Sequence, residues 1–197
     1  MNLRILYRKA GILTGFIPLI VYGILAGSSV KSVIIALGSA TIIGIIFGLS
    51  DLRKGRILTW TNLGLFASLL IVVSCLSGSE ILPFMGILIY ATLAVVTFGS
   101  ILAGIPFTTQ YAREMVNPSL WENPAFIRVN ILMTGAWGCI FAINFFLSCL
   151  MLMTPEFMGR IAQSLTYIVL VAGIVFTIWY PGHVQKKRES VPVQGRN

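Results

Sequence analysis

SVIIALGSATIIGIIFGL fills residues 32–49, SDLRKGRI follows over residues 50–57, and LTWTNLGLFASLLIVVSCL runs from Leu58 to Leu76. Neither flanking run holds an Asp, Glu, Lys or Arg. Each has about the 20 residues that a helix needs to cross a hydrocarbon core of roughly 30 Å. Asp51, Arg53, Lys54 and Arg56 between them belong in water. Two membrane-spanning helices joined by a charged turn satisfy both demands, because helices pair their own backbone groups where lipid offers no partner. Spanning strands would need polar alternation, which these runs lack.

The pattern repeats outward. Apolar runs extend over about Gly11 to Ala26, Ser32 to Leu49, Leu58 to Leu76, Pro83 to Gly104, Pro124 to Met153 and Ile161 to Tyr180. The sequence is 57% hydrophobic and 10% charged, too little polar surface to clothe a water-soluble fold. The expectation is an all-α, polytopic integral membrane protein: one domain over residues 1–197, a bundle of six transmembrane helices, and a basic tail over 181–197.

Charge orients the bundle. Of the 14 Lys and Arg residues, only Lys31 and Arg160 fall on one side. The other side takes Arg4, Arg8, Lys9, the Arg53–Arg56 turn, Arg113, Arg128, Lys186, Lys187, Arg188 and Arg196. The positive-inside rule makes that side cytoplasmic and places both termini there. The start also has the features of a signal peptide, with small residues Ala26, Gly27 and Ser28 after an apolar stretch. Pro18 and the immediately following span favour its retention as the first helix of a hairpin.

The net charge of +8 follows this topology and forms no basic stripe interleaved with aromatics, so nucleic acid is not an expected partner. The expected partner is the bilayer, with anionic headgroups at Lys186, Lys187 and Arg188, each base adding about 1 kcal/mol. Cys75, Cys139 and Cys149 have no CxxC spacing and read as small buried hydrophobes; with His183 the sole histidine, no metal site or cofactor is expected. Spacings such as Gly11 with Gly15, Gly44 with Gly48, Ser100 with Gly104 and Gly135 with Cys139 let helices approach closely, within one chain or in a homo-oligomer.

Gly104 and Pro106 break the fourth span, and a short interfacial helix is expected next, with Phe107, Tyr111 and Met115 on one face and Gln110 and Glu114 on another. Arg113 faces neither group. Ser119 to Glu122 has capping-box spacing, and Asn123 with Pro124 marks an N-cap and first helical position. Trp121, Trp60 and Trp179 suit the membrane interface. The fifth span is about 30 residues, or roughly 45 Å of helix, so its first turns must tilt or project. Gln110, Tyr111, Arg113, Glu114, Trp121, Glu122 and Arg128 form a candidate polar pocket or partner surface.

Gly104-Ile-Pro-Phe107, Ala112-Arg113, Trp121-Glu-Asn-Pro-Ala-Phe-Ile-Arg-Val-Asn130 and Thr134-Gly-Ala-Trp-Gly138 resemble the bacterial integral membrane proteins grouped around intracellular septation protein A. The resemblance covers roughly residues 99–146. It departs at Ile105, where relatives often carry a basic residue. The resemblance implies an inner-membrane protein associated with envelope integrity or division, with no agreed chemical activity.

Carriers of ions hold a charge inside a span, and none is expected here. Asn62, Asn130, Asn144 and Gln163 are the strongest polar groups in the runs; Asn144 lies mid-helix, where an interhelical hydrogen bond is the common role. No nucleophile has a nearby base within the membrane, so an enzyme is not expected. Two functions stand: a non-enzymatic structural or partner-binding membrane protein, and a small facilitator-type transporter for a small polar solute, using Asn62, Asn130, Asn144 and the Gln110 to Glu114 region. A polar, water-accessible cavity reaching mid-membrane would favour the second, and a tightly filled helix core the first.

Overall fold

The computed structural model describes the backbone of residues 14–75, 79–154 and 156–189, with side chains to Val184. Seven α-helices and no strand occur among these residues: α1 (Ile17–Leu25), α2 (Val30–Arg53), α3 (Ile57–Cys75), α4 (Met85–Leu102), α5 (Phe107–Ala112), α6 (Pro124–Met153) and α7 (Glu156–Glu189). Five helical segments are long and apolar enough to cross a membrane: α2, α3, α4 with the 3-10 turn Leu82–Phe84 before it, α6 and α7. The chain is a polytopic all-α membrane protein.

Six crossings were expected, and the described residues hold five. Helix α1 has nine residues, about 13 Å at 1.5 Å per residue, which is half a crossing. The expected placement of both termini on one side rests on residues 1–13 and 190–197, outside the described residues, as does Gly11 of the first small-residue pair. The side chains of Lys186, Lys187 and Arg188, the expected headgroup contacts, also lie outside them.

Helix ends follow local chemistry. Ser29 accepts from the Ser32 N–H at 3.1 Å and starts α2 two residues before the expected span. Gly55, at φ +67°, reverses the chain between α2 and α3, and Gly104, at φ +72°, ends the turn after α4; both positions disfavour a Cβ. The Asn123 side chain accepts from the Ala125 N–H at 3.0 Å with Pro124 at the first helical position. The expected Ser119 cap is replaced by Asn117, which accepts from the Ser119 N–H at 3.1 Å; Asn117 precedes Pro118, so its side chain meets the first free donors of the turn.

The bundle divides into two halves. Helix α2 packs on α1 and α3, while α6 packs on α4, α5 and α7. Close approach depends on small residues within the chain: a Cβ on Gly48 would stand 2.8 Å from Thr59 Cγ2, and one on Gly44 3.3 Å from Pro18 Cγ. An aromatic layer joins the halves, with Phe16 before α1 stacked on Trp137 of α6 at 4.1 Å between centroids and 22° between planes. Phe141 lies 5.6 Å from Trp137, and Phe107 meets Phe16 edge-on at 6.3 Å. The Trp137 Nε1–H donates to Thr177 Oγ1 at 2.9 Å, tying α6 to α7. Cys75 and Cys139 are exposed and Cys149 partly so. They were expected to be buried; instead the thiols lie on the outer surface of spanning helices, where lipid solvates a small hydrophobe as well as a core does.

Candidate functional site

At the end carrying the basic turn, the halves are fastened by charge. Asp51 ends α2 and Arg56 opens α3 across the Gly55 reversal, so the fold holds two ionised side chains at 7% and 4% exposure. Arg56 donates from Nη1 to Asp51 Oδ1 at 2.8 Å and from Nη2 to Glu114 Oε1 at 2.7 Å; Lys54 Nζ reaches the same Glu114 oxygen at 2.7 Å. Its guanidinium lies 4.1 Å from the centre of the Tyr111 ring. Gln110 Oε1 accepts from the Ile57 N–H at 2.9 Å, satisfying a donor that the start of α3 cannot pair itself. Tyr111 Oη and Thr59 Oγ1 stand 3.3 Å apart.

The electrostatics are those of a closed ion-pair network. Burial alone would raise the Glu114 carboxyl, but hydrogen bonds from Lys54 and Arg56 and their charges outweigh it and hold Glu114 below its ordinary value. Arg56 is pushed the other way: desolvation opposes its charge, and the bond to Glu114 with the charge of Asp51 overcomes that. Burial raises the Tyr111 phenol, the Thr59 contact only partly offsetting it.

This cluster corrects the expectation that no charge is buried and that the segment after α4 lies on the membrane. Phe107, Thr108 and Tyr111 are each 2% exposed or less, so α5 is packed into the bundle end. Of the expected pocket, Gln110, Tyr111 and Glu114 come together, with Asp51, Lys54 and Arg56 as partners that sequence reading assigned only to a solvated turn. Their signal was an acid and a base five residues apart around a Gly.

Arg113 points elsewhere, 5.1 Å over the Trp121 ring, and the Trp121 Nε1–H donates to the Arg113 carbonyl at 3.2 Å. Glu122 and Arg128 are exposed and form no ion pair among the described residues. Asn130 donates to the Phe126 carbonyl at 2.8 Å within α6, and its own carbonyl accepts from Thr108 Oγ1 at 2.9 Å, anchoring α5. Asn62 donates to the Gly15 carbonyl at 2.6 Å. Asn144 is fully buried and its amide has no partner among the described residues. No group of three His, Cys, Asp or Glu suited to a metal ion occurs among the described residues.

The cavity lies at the opposite end. There the halves separate around a chamber of about 690 Å³, from Gly27, Ser28 and Gln163 at the mouth to Phe16, Trp137 and Ile174 at the floor. Its size is that of a small-molecule site, typically about 300–1,000 Å³. Its lining is mainly aliphatic, with the hydroxyl-tipped Tyr22, Tyr90 and Tyr167 among it. Asn62, Asn130 and Asn144 are not in its walls, nor is the Gln110 to Glu114 region. The three tyrosines lie on three different helices, so no local spacing announces them. No protein-family model, curated protein or solved structure matches this chain.

Proposed function

We propose that this protein is a non-enzymatic small-molecule binder of the bacterial inner membrane, working as a facilitator whose chamber opens away from the cytoplasm. One observation carries the reading: the chamber descends from the far end of the bundle to the Phe16–Trp137 layer, while the basic end is closed by the Asp51–Arg56–Glu114 network. A cavity open at one end and a clamp at the other is what an alternating-access device requires. A cytoplasmic basic end follows from the charge bias.

The experiment is cysteine accessibility. In a chain with Cys75, Cys139 and Cys149 replaced by Ser, Leu170→Cys in the chamber wall is expected to react with a membrane-impermeant maleimide added from the non-basic side. Leu93→Cys, in the packed core at 1% exposure, should stay unreacted. Protection of Leu170→Cys equal to that of Leu93→Cys would remove the chamber from the mechanism.

A partner-binding reading is favoured by the Arg113–Trp121 pair, an exposed guanidinium 5.1 Å over a half-buried indole. The septation-family resemblance would place that partner in envelope or division machinery. Arg113→Gln should then abolish the cellular activity while folding changes by no more than about 0.5 kcal/mol, as expected of a surface substitution. Parallel loss of folded protein in membranes would assign Arg113 to structure instead.

A further inference from the structure

The chamber walls carry hydroxyls but no charge. Among the lining residues there is no Asp, Glu, Lys, Arg or His. An ionised ligand would leave water with nothing to compensate it, at a cost that excludes it. Tyr22, Tyr90 and Tyr167, from α1, α4 and α7, all line this chamber. Tyr167 Oη donates to the Gly23 carbonyl at 3.3 Å and lies 3.4 Å from Gln163 Nε2. Tyr22 and Tyr90 have no hydrogen-bond partner among the described residues, leaving two hydroxyls in an aliphatic chamber available to a ligand.

Besides the mouth, the chamber has residues that reach the outer surface along the wall between α1 and α7. Ile24, Ile20 and Val171 line the cavity and are also 75%, 43% and 57% exposed. Val171 lies on the spanning helix α7 and Ile20 and Ile24 on the apolar α1 packed in the same bundle, so this rim is placed to meet lipid. The Tyr167–Gly23 hydrogen bond bridges the opening.

Resting on the chamber reading above, we propose that the occupant is an uncharged amphiphile drawn from the bilayer. Its hydrogen-bonding group meets the Tyr22 and Tyr90 hydroxyls, its apolar body lies along the aliphatic walls, and it enters between α1 and α7. A neutral hydroxyl or carbonyl head suits these donors. A carboxylate or quaternary ammonium head does not.

The test uses the full chain in phosphatidylcholine nanodiscs with three photoreactive C16 probes bearing the same mid-chain diazirine: an alcohol, a carboxylate and a trimethylammonium. The alcohol is expected to label the chamber segments of α1, α4 and α7 at least about tenfold more than either charged probe. The double variant Tyr22→Phe, Tyr90→Phe should cut that labelling about five- to tenfold, the loss of one to two hydrogen bonds. Ile24→Trp, at the lipid-facing rim, should cut it as well while leaving maleimide access to Leu170→Cys unchanged.

Equal labelling by all three probes, or labelling indifferent to the tyrosines, would mean general contact with apolar surface and would overturn the proposal. Alcohol labelling untouched by Ile24→Trp would overturn entry from the lipid. Reactive Leu170→Cys with no alcohol labelling would refute the ligand class and leave the chamber function standing. Loss of both would refute the chamber function too.

Discussion

Arg56→Gln should lower the free energy of unfolding by about 3–5 kcal/mol, the range for removing one partner of a buried ion pair. The loss arises because Asp51, 7% exposed, is left buried without the guanidinium 2.8 Å away. Arg56→Lys should rescue little: one ammonium cannot bond Asp51 and Glu114 together while stacking on Tyr111. Asp51→Asn combined with Arg56→Gln should recover more than half the loss, since no buried charge is then unpaired. Unfolding in mixed micelles titrated with dodecyl sulfate measures each. A change below about 1 kcal/mol for Arg56→Gln would show the network to be as weak as a solvated pair.

The same network sets an acid limit. Glu114 titrates below its ordinary 4.5 in the fold. Its contribution is therefore present above pH 4.5 and is lost as pH falls through the lower folded value. Glu114 is about half exposed, so screening keeps this effect well below that of Arg56. Glu114→Gln should flatten the acid side of the stability profile.

Trp137→Ala should cost about 3 kcal/mol. That is the low end of the range for truncating a large core aromatic, because burial against lipid loses the hydrophobic share and leaves the cavity share. The indole is 1% exposed, stacks on Phe16 and bonds Thr177, so its removal loosens three segments at once. Trp137→Phe keeps a ring against Phe16 and should cost less than about 1 kcal/mol, the scale of one interhelical hydrogen bond in a membrane. Because Trp137 also floors the chamber, the Ala variant should deepen it and bring maleimide to Phe141→Cys, which is fully buried in the parent. Equal stability of the Ala and Phe variants would deny the aromatic layer its role in joining the halves.

The spanning helices were legible because hydropathy acts locally: an uninterrupted run such as Ser32 to Leu49 has one low-energy conformation in lipid, whatever its neighbours. The break at Gly104 and the cap at Asn123 were legible for the same reason, each being settled within four residues. Half of the polar cluster was legible too. Gln110 and Glu114 are one helical turn apart and must share a face, but the side of the bundle they meet is a long-range matter, 53 residues away for Gln110 and 60 for the Glu114–Lys54 pair.

By itself, the order of residues determined that lipid surrounds this chain, that its described core is helical, and that its bases keep to the ends of its apolar runs. Tertiary structure decided that Asp51 and Arg56 are buried, that α5 plugs the bundle end, and that the cavity opens at the end opposite the charges. The physical reason is one of range. Solvation and backbone pairing are satisfied residue by residue, whereas the burial of an ion or the opening of a chamber depends on which helices pack together and which are held apart.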